Sequence, residues 1–176
     1  YKYRFTDYDM PGSLNSMKVT LTAPWSVKVT VDEKKILACV PGGEQNVYFD
    51  EEGLVVKMSS EVLGGVPCIE GLDVSGAELY KPLENGDEAL FKSILEVTRE
   101  VAQFALSPDR IVCNGVDIQL WFGQICVLLG DDISADKIAQ ISPILAKLEG
   151  RRGTLHLEHF EEKGDAVSFS PDVLPE

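Results

Sequence analysis

The sequence has no apolar run approaching the roughly 18 residues that a membrane-spanning helix requires, and it has no signal-peptide pattern. Positive charge is also scarce, since 16 Lys and Arg residues stand against 29 Asp and Glu residues and leave a net charge of −13. Such an acidic chain is poorly suited to binding nucleic-acid phosphates or an anionic membrane surface. The chain begins at Tyr1 rather than Met, so we expect it to be a fragment of a longer protein.

Cysteine is sparse and widely spaced. The four cysteines are Cys39, Cys68, Cys113 and Cys126. No two of them have the close spacing of a zinc site or a CxxC redox motif, and this pattern favours a reduced protein. A disulfide between Cys113 and Cys126 is not expected, because the two would flank the central strand of a predicted meander. Two strand spacings separate Cα atoms by about 9–10 Å, whereas a disulfide needs less than about 7 Å.

Other residues that could carry chemistry are few. The only two histidines, His156 and His159, lie three apart in a predicted strand, so their side chains should point to opposite faces and not share a metal. The carboxylates of residues 50–52 and 131–132 adjoin polar turns, and we interpret them as solvated turn residues rather than an acid–base pair. No glycine-rich phosphate loop or nucleophile elbow occurs. We therefore expect no catalytic residue, no metal and no cofactor.

Hydrophobic periodicity predicts an α+β fold, with a largely antiparallel or mixed sheet and helices on one face. Apolar residues at three- and four-residue spacing predict a helix from Leu90 to Phe104, capped by Asn85 or Asp87 and ended by Ser107 and Pro108. A second helix, capped by Ser134, should be kinked or split by Pro143. Its expected buried stripe consists of Ile138, Ile141, Leu145 and Leu148.

Strands are predicted on both sides of these helices. Alternation and turn residues predict a first hairpin at residues 17–21 and 26–31. The other predicted strands are residues 36–40, 46–49, 54–56, 66–69, 110–113, 116–122, 124–129, 154–160 and 166–169. The last two should form a hairpin across residues 161–164, and the tail at 171–176 should be disordered.

Five segments, in order along the chain, carry a family resemblance. They are VKVTVDEK (27–34) with ILACV (36–40), VYFDEEGLV (47–55), VPCIEGL (66–72), IQLWFGQICVLLG (118–130) followed by Lys137 to Leu148, and GRRGTLHLEHF (150–160). Together they resemble the FtsQ/DivIB family of bacterial cell-division proteins, especially the DivIB-like proteins of clostridia. Within these segments, Gly53 and Gly71 stand where a turn needs positive φ or close backbone approach.

The resemblance implies a non-enzymatic scaffold of the cell-division machinery. Residues 1–34 would be the C-terminal part of a POTRA domain, and residues 35–170 would be the family's β domain. Both would lie on the extracytoplasmic side of a single-pass protein of the cell membrane. The implied partners are the FtsB/DivIC-like and FtsL-like division proteins, with which the scaffold assembles septal cell-wall synthesis. Two alternatives remain open: a POTRA-type polypeptide-transport or chaperone module, and a cell-wall hydrolase with paired carboxylates.

The last predicted strand is the expected partner site. No later strand should cover its outer edge, and an open edge can accept a strand from a partner. The family's last strand pairs with the FtsB-like partner in this way, and the resemblance makes Phe169 the anchor. The alternative is that Phe169 packs on the domain's own core. One departure from the family is that Glu158, His159, Glu161 and Glu162 stand where some relatives have basic residues. The predicted partner-binding residues are His159, Phe160, Ala166, Val167, Ser168 and Phe169.

Overall fold

The computed structural model describes residues 14–23, 26–83, 87–115, 117–130, 133–160 and 167–172. The chain divides into two compact units, Tyr1–Lys35 and Ile36–Glu176. The boundary lies in the charged segment that follows the predicted strand at residues 26–31. The assignment of these units to a POTRA remnant and a β domain stays a prediction.

The first unit contains one hairpin. Strand β1 (Leu14–Ala23) pairs antiparallel with β2 (Ser26–Glu33), with Val19 opposite Val29. The predicted hairpin is therefore confirmed, and both strands are longer than the alternation indicated.

The second unit is built on one nine-stranded sheet. Its strands are β3 (Ala38–Pro41), β4 (Asn46–Phe49), β5 (Val55–Ser59), β6 (Cys68–Glu70), β7 (Arg110–Asn114), β8 (Asp117–Phe122), β9 (Ile125–Gly130), β10 (Gly153–His156) and β11 (Ser168–Pro171). Their order across the sheet is β11-β10-β9-β8-β7-β6-β3-β4-β5. The pairs β10–β9, β7–β6 and β6–β3 are parallel and the others antiparallel. With two helices beside it, this mixed sheet confirms the predicted α+β class.

Two helices connect the strands of two of the three parallel pairs. Helix α1 (Glu88–Gln103) joins β6 to its neighbour β7, and α2 (Ala135–Lys147) joins β9 to its neighbour β10. A crossover of this length returns the chain to the sheet in the same direction. Buried side chains of both helices and of alternate strand residues belong to one hydrophobic core. Both helices therefore cover the same face of the sheet, as predicted.

The helix ends agree with the sequence in part. Asp87 accepts a hydrogen bond from the amide of Leu90, and Ser134 accepts one from Lys137, so both caps are as predicted. Helix α1 ends earlier than Ser107, with Phe104 as its C-cap. Pro143 does not split α2; it lies on the exposed side, where water can satisfy the carbonyl it leaves without an amide partner. None of the described helices is long and apolar enough to cross a bilayer.

Several strand boundaries differ from the predicted ones. β6 begins at Cys68, because Pro67 has no amide to donate and its carbonyl instead accepts from the amide of Cys39 at 3.0 Å. β10 ends at His156, and a turn follows in which the amide of Phe160 donates to the carbonyl of Leu157. The last strand spans residues 168–171 rather than 166–169, so the predicted boundary was wrong by two residues at each end.

Candidate functional site

Strand β11 forms one edge of the sheet. It pairs antiparallel with β10, with Thr154 opposite Ser170 and His156 opposite Ser168. No strand within the described ranges pairs with its other side. The predicted edge strand therefore exists, and its outer side is a candidate binding surface.

The backbone groups that face outward on β11 follow from its hydrogen bonding. The amide of Asp172 donates to the carbonyl of Arg152 at 3.2 Å. Because hydrogen-bonded pairs alternate along an antiparallel ladder, Ser168, Ser170 and Asp172 turn their backbone groups toward β10. Phe169 and Pro171 then turn theirs outward. Pro171 has no N–H to donate. Because its nitrogen faces away from β10, no hydrogen bond of the sheet is lost.

The six residues predicted from the sequence do not form one exposed patch. Val167 and Phe169 are partly buried and pack against the domain's own core. A Cβ atom built on Gly153 would lie 2.9 Å from Phe169 Cζ, so the ring covers that glycine. This arrangement matches the alternative in which Phe169 belongs to the core. Ser168 and His159 are exposed, Phe160 is half-buried, and Ala166 lies outside the described residues.

Three polar side chains link the last two strands. His156 Nε2 lies 3.1 Å from Ser170 Oγ, and His156 Nδ1 lies 2.8 Å from Glu158 Oε1. This cluster was not predicted from the sequence, because both histidines were expected in one strand. The strand ends at His156, so the predicted opposite orientation of the two rings does not apply. A histidine and a glutamate two residues apart do not indicate, from the sequence alone, that a serine of another strand lies beside them.

Ser170, His156 and Glu158 are arranged like the nucleophile, base and orienting acid of a hydrolase. Such chemistry also needs oxyanion donors and a cleft that holds the substrate. Ser170 is instead exposed on an edge strand. A cavity of about 360 Å³ is elsewhere, between the β3–β4 turn and residues 72–75. We interpret the cluster as a polar link that holds β11 to β10.

The charge of Glu158 is stabilised within this link. Burial alone would raise the pKa of the Glu158 carboxyl. A hydrogen bond from His156, a backbone hydrogen bond and the charges of both histidines outweigh burial and lower the pKa below its usual value of 4.5. Glu158 therefore stays ionised in mildly acidic solution and continues to accept from His156.

The second face of the sheet is formed by the strand residues that alternate with the core residues. Charged, aromatic and cysteine side chains lie side by side in a row across it. The guanidinium carbon of Arg110 lies 4.4 Å from the centroid of the Trp121 ring. An Arg110 nitrogen also lies 3.8 Å from a Glu70 carboxylate oxygen. A cation over an aromatic ring contributes about 0.5–1 kcal/mol where solvent is near. These contacts stabilise this face of the sheet.

The row continues to two cysteines. Cys39 and Cys68 are directly opposite each other in β3 and β6, and their Sγ atoms are 3.0 Å apart. Their contact was not predicted from the sequence, because 29 residues separate them and no local motif shows which strands become neighbours. Cys113 faces the helices, whereas Cys126 lies on the second face two strands away. The argument against a Cys113–Cys126 disulfide therefore agrees with the structure.

The acidic clusters differ from each other. Asp50 is 4% exposed and its Oδ1 accepts from the amides of Glu52 (3.0 Å) and Leu54 (2.9 Å). The interpretation of Asp50 as a solvated residue was therefore wrong; Glu51 and Glu52 are exposed, as expected. Residues 131–132 lie outside the described ranges. Across the described parts of the chain, no three His, Cys, Asp or Glu side chains are grouped as a metal ion would require.

This chain matches no protein-family model and no curated protein. The likeness to FtsQ/DivIB is thus carried by the sequence segments named above. The geometry contributes an open sheet edge and one polar cluster beside it, formed by His156, Glu158 and Ser170.

Proposed function

We propose that this chain is an extracytoplasmic part of a cell-division scaffold of the FtsQ/DivIB type and catalyses no reaction. Its second unit would be the β domain, which binds an FtsB/DivIC-like protein together with an FtsL-like protein. The parent protein would be anchored in the cell membrane by a single span. The resemblance of the five sequence segments implies the identity of the partners, and the open edge of the sheet supports the proposal that one of them docks there.

The observation that carries this proposal is the open outer edge of β11. Among the described strands, none pairs with it. An uncovered edge offers backbone donors and acceptors to another chain. Strand addition uses these groups for affinity and uses side chains for specificity.

The available groups are few, and they fix how a partner strand can bind. Phe169 offers its N–H and its carbonyl, whereas Pro171 offers a carbonyl alone. A partner strand would therefore centre on Phe169. The neighbouring side chains of Ser168 and Ser170 are small and exposed, so they leave room for a second backbone to approach.

The role of Phe169 changes accordingly. Its ring packs against the core, so it contributes to the domain's stability and is poorly placed to enter a partner pocket. Its backbone amide, which points outward, is the group we expect the partner to use.

Two substitutions at this one position separate the ring from the amide. Phe169→Ala removes the ring and keeps the N–H, whereas Phe169→Pro removes both. Because one hydrogen bond contributes about 1 kcal/mol net, we expect the proline variant to bind about five- to tenfold more weakly than the alanine variant. Ser168→Ala, which changes only an exposed side chain, should bind as the wild type does.

Calorimetry with purified FtsB/DivIC-like and FtsL-like ectodomains measures these affinities, and circular dichroism checks that each variant is folded. Equal affinities of the folded alanine and proline variants would overturn strand addition at β11. Failure of the unsubstituted chain to bind either ectodomain, singly or together, would overturn the scaffold proposal itself.

A further inference from the structure

The nine-stranded sheet has one short junction. Strands β3 and β6 meet in parallel through a single register pair, Cys39 opposite Cys68. This junction, which we name the sheet seam, joins β3, β4 and β5 to the other six strands. Neighbouring pairs have longer registers: β3–β4 has four partner pairs and β6–β7 has three.

The two cysteines at the seam are positioned for a covalent bond. Their Sγ atoms are 3.0 Å apart. Paired residues on adjacent strands have Cα atoms about 4.8 Å apart, which lies within the 4.4–6.8 Å that disulfides span. Register partners on neighbouring strands also point to the same face, so neither strand has to rotate.

Access to the pair is asymmetric. Cys39 is 1% exposed, whereas Cys68 is half-buried. Near them, Tyr48 donates its hydroxyl proton to the carbonyl of Glu61 at 2.6 Å and accepts from the amide of Leu63, which fastens the loop after β5. A reagent in solution therefore reaches Cys68 first.

We propose that Cys39 and Cys68 form an intramolecular disulfide that clamps the sheet seam when the protein meets a small-molecule disulfide or the disulfide form of a thiol oxidoreductase. The Cys68 thiolate attacks the reagent's disulfide, releases one thiol and forms a mixed disulfide. The Cys39 thiolate then attacks the Cys68 sulfur and releases the second thiol. The protein loses two protons and two electrons, and the reagent's disulfide is reduced to two thiols.

The surroundings of Cys39 set the order of these steps. Burial chiefly, together with the hydrogen bond and charge of Cys68, raises the pKa of Cys39 to about 12. Little Cys39 thiolate exists at neutral pH, so Cys39 is a poor first attacker. Once Cys68 carries the mixed disulfide, the adjacent Cys39 is the resolving thiol, and its short distance compensates for its low ionisation.

The other two cysteines provide an internal reference. Cys126 Sγ has a Gln119 oxygen as its neighbour at 3.8 Å. Burial raises the pKa of Cys113 to about 11, and it lies on the opposite face of the sheet. We expect both to stay as thiols under conditions that oxidise the seam.

The test uses the folded 176-residue chain and oxidised glutathione. After equilibration, the chain is unfolded in the presence of N-ethylmaleimide and its intact mass is measured. We expect two maleimide adducts instead of the four on the reduced chain, and a peptide map that links Cys39 to Cys68. A variant with Cys113→Ser and Cys126→Ser should retain the link and take up no maleimide. Cys39→Ser should instead hold glutathione on Cys68.

A second readout is the urea midpoint of unfolding. Oxidation should raise it in the unsubstituted chain but not in Cys39→Ser, which cannot form the link. Four adducts after equilibration, a link between any other cysteines, or a link that forms only after unfolding would each overturn the inference. None of these measurements involves partner binding, so their outcome does not depend on the proposed scaffold function.

Discussion

Gly71 provides a sharp test of the packing between β6 and β7. It follows β6 directly, has a φ of +95°, and a Cβ atom there would lie 2.2 Å from the carbonyl oxygen of Cys113. That oxygen belongs to a strand in the middle of the sheet and cannot move without disturbing its neighbours. We therefore expect Gly71→Ala to lower the free energy of unfolding severely.

Two costs add at this position. A positive φ costs a side-chain-bearing residue about 1–2 kcal/mol, and forcing atoms into a packed site costs about 1–3 kcal/mol more. The expected loss is thus about 2–5 kcal/mol, a large part of the 5–15 kcal/mol that stabilises a typical domain. Gly65→Ala is the matched control, because Gly65 has a φ of +78° but open space around it. It should lose only the backbone cost.

Urea unfolding followed by circular dichroism measures the difference between the two variants. With a slope of about 1.5 kcal/mol per molar urea, an extra 1–3 kcal/mol lowers the midpoint of the Gly71 variant by about 0.7–2 M relative to the Gly65 variant. The gain from a stiffer unfolded chain is common to both substitutions and cancels. If the two midpoints fall equally, the close approach to Cys113 does not exist in solution.

Two further predictions concern carboxylates. Asp50→Ala leaves the amides of Glu52 and Leu54 without the oxygen they share, so it should cost about 1–3 kcal/mol of unfolding free energy; Asp50→Asn, which keeps an acceptor, should cost less in the same urea titration, and equal losses would contradict this reasoning. Because the pKa of Glu158 is lowered in the folded state, its stabilising effect is complete above its unfolded value of about 4.5 and is lost as the pH falls through its folded value. Glu158→Gln should therefore be less stable than the wild type at pH 7, by about 1 kcal/mol or less, and urea midpoints measured from pH 7 to pH 3 should converge; a constant gap would contradict the assigned pKa shift.

The local pattern of the sequence predicted most of the elements and their type. The Ile94 and Ile138 faces, the Asp87 and Ser134 caps and the β7–β8–β9 meander all depend on residues within a few positions of each other. The positive φ expected at Gly53 and Gly71 is confirmed as well. Such features follow from side-chain spacing and turn chemistry, which are local properties.

Features that depend on neighbours across a crossover could not be predicted in this way. Alternation of apolar and polar residues does not show that β6 lies between β3 and β7. The Cys39–Cys68 contact therefore could not be predicted from residue spacing. Ser170 and His156 likewise meet through the register of β11 against β10, in which Ser170 is opposite Thr154, two residues from His156 on the same face. Alternation also could not decide whether Phe169 faces the core, because both faces of an edge strand are compatible with a single aromatic residue.

Pro171 has a consequence for the solubility of this acidic domain. A long, flat and uninterrupted edge can recruit further copies of the same strand and grow into a fibril. Here the open edge is short, because Pro171, which has no amide proton, is the next outward-facing residue after Phe169. One incoming strand can be held there in a single register, but repeated stacking would lack a continuous ladder. Pro171 thereby limits repeated strand stacking on this edge of the sheet.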